Sequence, residues 1–324
     1  MQTTRRGFLG AVSAATAITA AATPPDAKSP GVTKSGPNFY VAAVTPCDSR
    51  GKFDDALYRD LMPFFKERGA DGVVVLGTTG EFPSFSTAER KKVAEVALKH
   101  RAGLKMIVQV GTSNLPETLE LLNHAQANGA DGILCIPPFY YKNPAVEPLV
   151  KHYSAILEAS KLPVYLYHIP GTSAVPISHE LLHKLEHFPN LAGIKDSTGN
   201  AEGYAAFVKE FPKLDMMSGT DNNIPTALKN NMGAILMGGN LFTKQSAAVF
   251  AAHRAGKDIT EAMTKLREAS ALLRGTGGSG IPGIKFSLTA WGFRESYARP
   301  PQTELTPEQK TQIKPKLAEL KALG

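Results

Sequence analysis

Gly69-Ala70-Asp71-Gly72-Val73-Val74 returns sixty residues later as Gly129-Ala130-Asp131-Gly132-Ile133-Leu134, and a looser copy stands at Met232-Gly233-Ala234-Ile235-Leu236. In each copy a glycine that can take positive φ closes a helix, and the apolar run that follows at once reads as a buried strand. Sixty residues is the length of two βα units, so the echo marks one architecture wound around itself.

Outward from these repeats, candidate strands occupy 39–44, 72–76, 106–110, 132–136, 163–167, 191–195, 214–218 and 233–237. Helical periodicity runs through 54–68, 86–100, 115–128, 146–160, 178–187, 200–210, 222–231 and 243–255. Strict alternation of eight with eight predicts parallel βα units. No GxGxxG follows the first strand, and eight units favour a closed (β/α)8 TIM barrel over an open doubly wound sheet. The barrel is expected over 38–256, and 257–324 as a small C-terminal helical extension of roughly three helices.

The first 22 residues read as a leader and not as part of the fold. Arg5-Arg6-Gly7-Phe8-Leu9 is a twin arginine followed by Phe-Leu, an uncharged Ala-rich stretch runs on to Ala22, and Ala20 and Ala22 offer an A-x-A cleavage site. Charge, apolar run and cleavage site come in the order that twin-arginine export requires, which places the mature protein in the periplasm. The stretch is too short and too weakly apolar for a membrane span.

Composition is that of an ordinary globular chain, 43% hydrophobic and 20% charged over 324 residues. The formal charge of +7 includes Arg5 and Arg6 of the leader and is otherwise spread thinly. With no basic stripe it argues against nucleic acid and for a protein handling small anions. Cys47 and Cys135 have no paired spacing, and Cys135 sits in a strand-like run, so both read as buried structural thiols. His179, His183 and His187 recur every four residues with no HExxH or accompanying acidic partner, the pattern of one helix face and not of a metal site.

In a barrel of this kind the chemistry belongs at the C-terminal ends of the strands. Strand 2 ends in Gly77-Thr78-Thr79-Gly80-Glu81, strand 4 in Pro137-Pro138-Phe139-Tyr140-Tyr141, and strand 5 in Tyr167-His168. Strand 6 ends in Lys195-Asp196-Ser197-Thr198-Gly199 and strand 7 in Ser218-Gly219-Thr220-Asp221. Lys195 closes an apolar strand where its amine enters the barrel mouth. Burial favours the neutral amine, the form that Schiff-base chemistry needs. Tyr167 ends the neighbouring strand and reaches the same space, as a packed aromatic or as an acid–base group. The Gly77–Gly80 turn offers two hydroxyls and several backbone N–H groups on what reads as a glycine-freed loop, suited to a carboxylate. Asp221 stands before a helical segment and serves equally as an N-cap or a substrate contact.

These motifs together resemble the dihydrodipicolinate synthase / N-acetylneuraminate lyase family. They are Gly77-Thr78-Thr79-Gly80-Glu81, Tyr167-His168-Ile169-Pro170 and Gly193-Ile194-Lys195-Asp196-Ser197-Thr198-Gly199, with Gly280-Ile281-Pro282-Gly283-Ile284-Lys285 near the C-terminus. The 28-residue step from Tyr167 to Lys195 is the family's own. The resemblance implies a class I, pyruvate-dependent aldolase or lyase with no cofactor and no metal. Lys195 would form the Schiff base and Tyr167, supported by Thr78, would relay protons. Tyr140 would reach a neighbouring subunit's site in a homotetramer built as a dimer of dimers. Thr79, Gly80, Ile235, Ser197, Asp221 and Thr172 would line the substrate, a pyruvyl 2-oxo acid.

The chain also departs from its relatives. Thr172 stands where the synthases carry an arginine, Asn222 where the neuraminate lyases carry a glutamate, and Gly238 where a serine is expected. Gly80-Glu81-Phe82-Pro83 and Lys195-Asp196-Ser197 look more like 4-hydroxy-2-oxoglutarate and 2-keto-3-deoxy sugar acid aldolases. The expectation is therefore cleavage or condensation of such a 2-oxo acid. A 4-hydroxy-tetrahydrodipicolinate synthase, a keto-deoxy sugar acid dehydratase and a non-catalytic 2-oxo acid binder are the alternatives.

Overall fold

The computed structural model describes residues 36–323, so the leader lies outside the described residues. Its strands are β1 (Phe39–Ala42), β2 (Gly72–Val75), β3 (Lys105–Gln109), β4 (Gly132–Cys135), β5 (Val164–His168), β6 (Leu191–Asp196), β7 (Asp215–Ser218) and β8 (Ala234–Leu236). They pair in sequence order, all parallel, and close with β8 against β1. The expected TIM barrel is the fold observed.

Around the barrel run α1 (Asp55–Glu67), α2 (Thr87–Lys99), α3 (Leu115–Ala127), α4 (Val146–Ala159), α5 (Pro170–Ser173), α6 (His179–Leu185), α7 (Ala201–Glu210), α8 (Ile224–Lys229) and α9 (Thr243–Arg254). Local chemistry starts many of them. Ser86 and Glu89 form a capping box on α2, and Asn114, Ser178 and Asn200 cap α3, α6 and α7 with their side chains. The strands are buried on both faces, as a parallel barrel requires.

The GADG repeat has a physical meaning beyond its glycines. Gly69 and Gly129 do take positive φ, +93° and +80°. The aspartates do matching work: Asp71 Oδ2 accepts from the N–H of Phe39 on β1 (2.8 Å), and Asp131 Oδ2 from the N–H of Met106 on β3 (2.7 Å). Each carboxylate thus satisfies a donor that the start of the neighbouring strand would otherwise leave unpaired. In the looser copy the left-handed residue is Asn231 (φ 56°), not a glycine. Gly233 is required there by close approach, since a Cβ would lie 2.5 Å from the carbonyl oxygen of Asn38.

Some element ends differ from expectation for identifiable reasons. The first strand stops at Ala42, short of 44, because the Asn240 side chain takes over its ladder. That amide accepts from the Val44 N–H (3.1 Å) and donates to the Ala42 carbonyl (2.8 Å). The four-residue α5 is too short to show a helical period.

Three further helices form the C-terminal extension: α10 (Thr260–Leu272), α11 (Ile281–Ser287) and α12 (Pro307–Ala322). The segment between α11 and α12 returns to the rim at the strand C-termini. Tyr297 N–H donates to Cys47 O (2.9 Å), Ser296 Oγ accepts from Cys47 N–H (3.1 Å), and Arg299 bonds Gly51 O (2.7 Å) and Ser84 O (2.8 Å). The extension is laced to the loops that follow β1 and β2.

Candidate active site

Register places the central pair. Tyr167 of β5, Lys195 of β6 and Met217 of β7 stand on one line across three strands, so their side chains share a face. Lys195 is 4% exposed and Tyr167 2%. Lys195 Nζ donates to Tyr167 Oη at 3.3 Å and lies 4.4 Å from the centre of the same ring. Thr78 Oγ1, from the loop after β2, donates to that phenolic oxygen at 3.3 Å. Amine, phenol and hydroxyl thus form a chain across the barrel mouth.

Burial alone would raise the Tyr167 phenol. The adjacent Lys195 charge, with hydrogen bonds from Thr78, Ser197 and Lys195, outweighs it and holds the phenol below its ordinary value. The hydroxyl is thereby readied to exchange a proton with a group beside Lys195.

The Thr78-Thr79 loop is shaped differently from the glycine-freed turn expected. Its left-handed residues are Leu76 (φ 59°) and Glu81 (φ 55°), neither of them a glycine. Gly80 matters through close approach instead, since a Cβ there would lie 2.9 Å from the Cα of Leu76. Thr45 Oγ1 donates to Gly80 O (2.9 Å), which ties the loop to the end of β1. Glu81 is ion-paired with Lys285 of α11, the two side chains 1% and 0% exposed. Its second oxygen accepts from the Arg299 N–H (2.7 Å), and Lys285 Nζ also donates to Tyr297 O (2.8 Å). Thr79 is buried on the loop so held. Neither Glu81 nor Lys285 was among the expected site residues.

The remaining expected residues fall in three places. Ser197, half-buried after β6, and Ile235, buried on β8, lie at the rim and within the barrel wall. Asp221 opens a short turn of 3-10 helix after β7. Thr220 and not Asp221 occupies the cap position, the carboxylate has no hydrogen-bond partner among the described residues, and burial pushes that carboxyl up. Thr172 is exposed on α5, and Tyr140 is 73% exposed with its ring edge-on to Tyr141 at 5.3 Å.

Cys47 and Cys135 are free and buried, and burial pushes the Cys135 thiol up to about 12. The histidine row has acidic partners after all: His183 Nδ1 meets Glu186 Oε1 at 3.2 Å, and a second carboxylate comes from another helix. His179 Nδ1 and His183 Nε2 meet the two oxygens of Glu210 on α7 at 2.6 and 2.7 Å. Among the described residues no group of three or more His, Cys, Asp or Glu side chains is placed to hold a metal ion, and no helix is long and apolar enough to cross a membrane.

Compared with known proteins, residues 37–320 match the model of the dihydrodipicolinate synthetase family. An uncharacterised DapA-like lyase of Chloroflexus aurantiacus is 34% identical over 76% of this chain and 84% of its own. A 4-hydroxy-tetrahydrodipicolinate synthase of Aromatoleum aromaticum is 32% identical over 82% of this chain and 92% of its own. Among solved structures, YagE of E. coli K12, a dihydrodipicolinic acid synthase family protein in complex with pyruvate, superposes with a TM-score of 0.80. It is 26% identical, over 88% of this chain and 98% of that one.

Proposed function

The chain belongs to the dihydrodipicolinate synthetase family, and from that premise we propose that Lys195 forms a Schiff base with the ketone of pyruvate or of a pyruvyl 2-oxo acid. The chain is a class I aldolase or lyase, dependent on pyruvate. The observation that carries the assignment of Lys195 is its buried amine, hydrogen-bonded to Tyr167, which is itself bonded to Thr78.

The neutral amine of Lys195 attacks C2 of the 2-oxo acid, and Tyr167 donates the proton that lets water leave the carbinolamine. The Thr79 and Thr78 hydroxyls, with backbone N–H groups of their loop, hold the carboxylate. The resulting iminium accepts electrons from the C3–C4 bond as it breaks, while the C4 hydroxyl passes its proton to the Tyr167 oxygen left deprotonated by the previous step, releasing an aldehyde and leaving an enamine. Protonation at C3 and hydrolysis then return pyruvate and the free lysine. In the reverse direction the enamine attacks an aldehyde.

Thr172, where an arginine would pair a second carboxylate, is uncharged and exposed on α5. This favours cleavage of a 2-keto-3-deoxy sugar acid, whose far end is hydroxylated and uncharged, over the synthase reaction of the Aromatoleum relative. Borohydride added with pyruvate is expected to trap one adduct per chain, on Lys195. Its absence would overturn the Schiff-base assignment and favour a 2-oxo acid binder.

The twin-arginine leader supports export to the periplasm, and the exposed Tyr140 supports a dimer of dimers in which that ring is covered by a neighbouring copy. Native mass spectrometry of the exported protein reads both. It is expected to return four copies of a chain cut near Ala22, and a monomer or an intact Met1 would refute the corresponding part.

A further inference from the structure

Gln109 closes β3 with only 1% of its surface exposed, and neither its amide oxygen nor its amide nitrogen has a hydrogen-bond partner among the described residues. A buried amide left unpaired calls for water or a ligand. We propose that Gln109 is a positioning residue for the water of the Schiff-base cycle. It takes up that water as it leaves C2 of the 2-oxo acid and returns it to C2 when the iminium is hydrolysed; the proposal rests on the Schiff-base role of Lys195.

The strands set where the amide points. Gly132 on β4 lies between β3 and β5, and a Cβ there would meet Ile107 Cγ1 at 3.6 Å and the Tyr165 ring at 3.8 Å. Ile107 and Tyr165 therefore face the barrel interior at one level. Two residues further along each strand the side chains return to the same face, which brings Gln109 level with Tyr167. The pairings place Ala42, Val74, Leu134, Met217 and Ile235 on that inner face, one from each of the remaining strands but β6, and all five are apolar and buried. Lys195 is the residue from β6. Among these eight inward positions, the polar groups are Lys195, Tyr167 and Gln109.

Two of the three are engaged already. Lys195 Nζ donates to Tyr167 Oη, and Thr78 Oγ1 donates to the same oxygen. When the carbinolamine dehydrates, the C2–O bond breaks, the Nζ lone pair closes the C=N bond, and the departing oxygen takes the Tyr167 proton. One water then stands against a wall that is otherwise apolar. A buried water is kept by about three hydrogen bonds, and an amide offers both a donor and an acceptor. Gln109 and the Tyr167 oxygen, at one level, can share the holding of it. Hydrolysis runs the step backwards: the water oxygen bonds C2, the C=N pair returns to Nζ and the proton goes back to Tyr167. A water held in place does not have to enter past the bound substrate.

The test times the two half-reactions. Lys195 is loaded with labelled pyruvate at saturation, chased with unlabelled pyruvate and trapped by borohydride at intervals. Gln109→Met removes the amide at nearly constant volume, and Gln109→Leu serves as a second apolar variant should the first not fold. Loading and loss of label are both expected to slow by roughly 10- to 100-fold, the worth of one hydrogen bond at a reacting group. The fraction trapped at equilibrium should stay within about twofold, because a water-holding group acts equally on both directions. Gln109→His, which keeps a donor and an acceptor, should recover most of the rate. Unchanged rates overturn the proposal, as does equal slowing in the Met and His variants. A fall in the trapped fraction with rates kept would make Gln109 a pyruvate contact and overturn it too. Failure of pyruvate trapping in the unaltered enzyme would instead defeat the Schiff-base reading on which it stands.

Discussion

Lys195→Ala is expected to abolish turnover, lowering kcat by roughly 10^5-fold or more, the usual result of removing the group that forms a covalent intermediate. The borohydride adduct with pyruvate should vanish with it. The fold should persist, because the substitution shortens a side chain at a strand end that opens on the barrel mouth. The ladder partners of β6 on β5 and β7 are backbone groups and remain. Tyr167 keeps its bond from Thr78. Circular dichroism and thermal melting check the fold, and pyruvate release checks the chemistry. Substantial residual release from a well-folded Lys195→Ala protein would remove Lys195 from the mechanism.

Tyr167→Phe is expected to lower kcat by roughly 10²- to 10⁴-fold, the usual worth of a positioned acid–base group, with a smaller change in KM. The substitution removes one oxygen and keeps the ring against the Lys195 amine, so packing is little disturbed. It also strips Thr78 and Lys195 of their shared partner. A change confined to KM would make Tyr167 a substrate-binding residue and move proton transfer elsewhere.

Most of the barrel was legible because its signals are local. The strands are short, largely apolar runs, and the longer helices announce themselves by period, several of them with a capping side chain. Lys195, Tyr167 and Thr78 could be brought together on paper because a barrel places its strand ends on one rim. What escaped detection depends on tertiary contact. The left-handed backbone of Leu76 and Glu81 has no glycine to announce it; at Glu81 it is accompanied by a buried partner on α11, in a region that composition marks only as an appendage. Glu210 meets His179 and His183 from a different helix, so the row looked unaccompanied. The function of the GADG aspartates was hidden for the same reason, since the donors they satisfy lie on the preceding strand.

The Glu81–Lys285 pair also constrains how this chain can drift. A buried charge stripped of its partner costs roughly 3–5 kcal/mol, a large part of a domain's whole margin of stability. An apolar couple of similar volume could replace the pair at little cost, yet every single-step route to that couple passes through the unpaired state. The two codons are therefore bound in descent, and a change at one is vetoed until the other follows. A peripheral appendage, which would otherwise be free to vary, is held at this point to the evolutionary pace of the loop after β2.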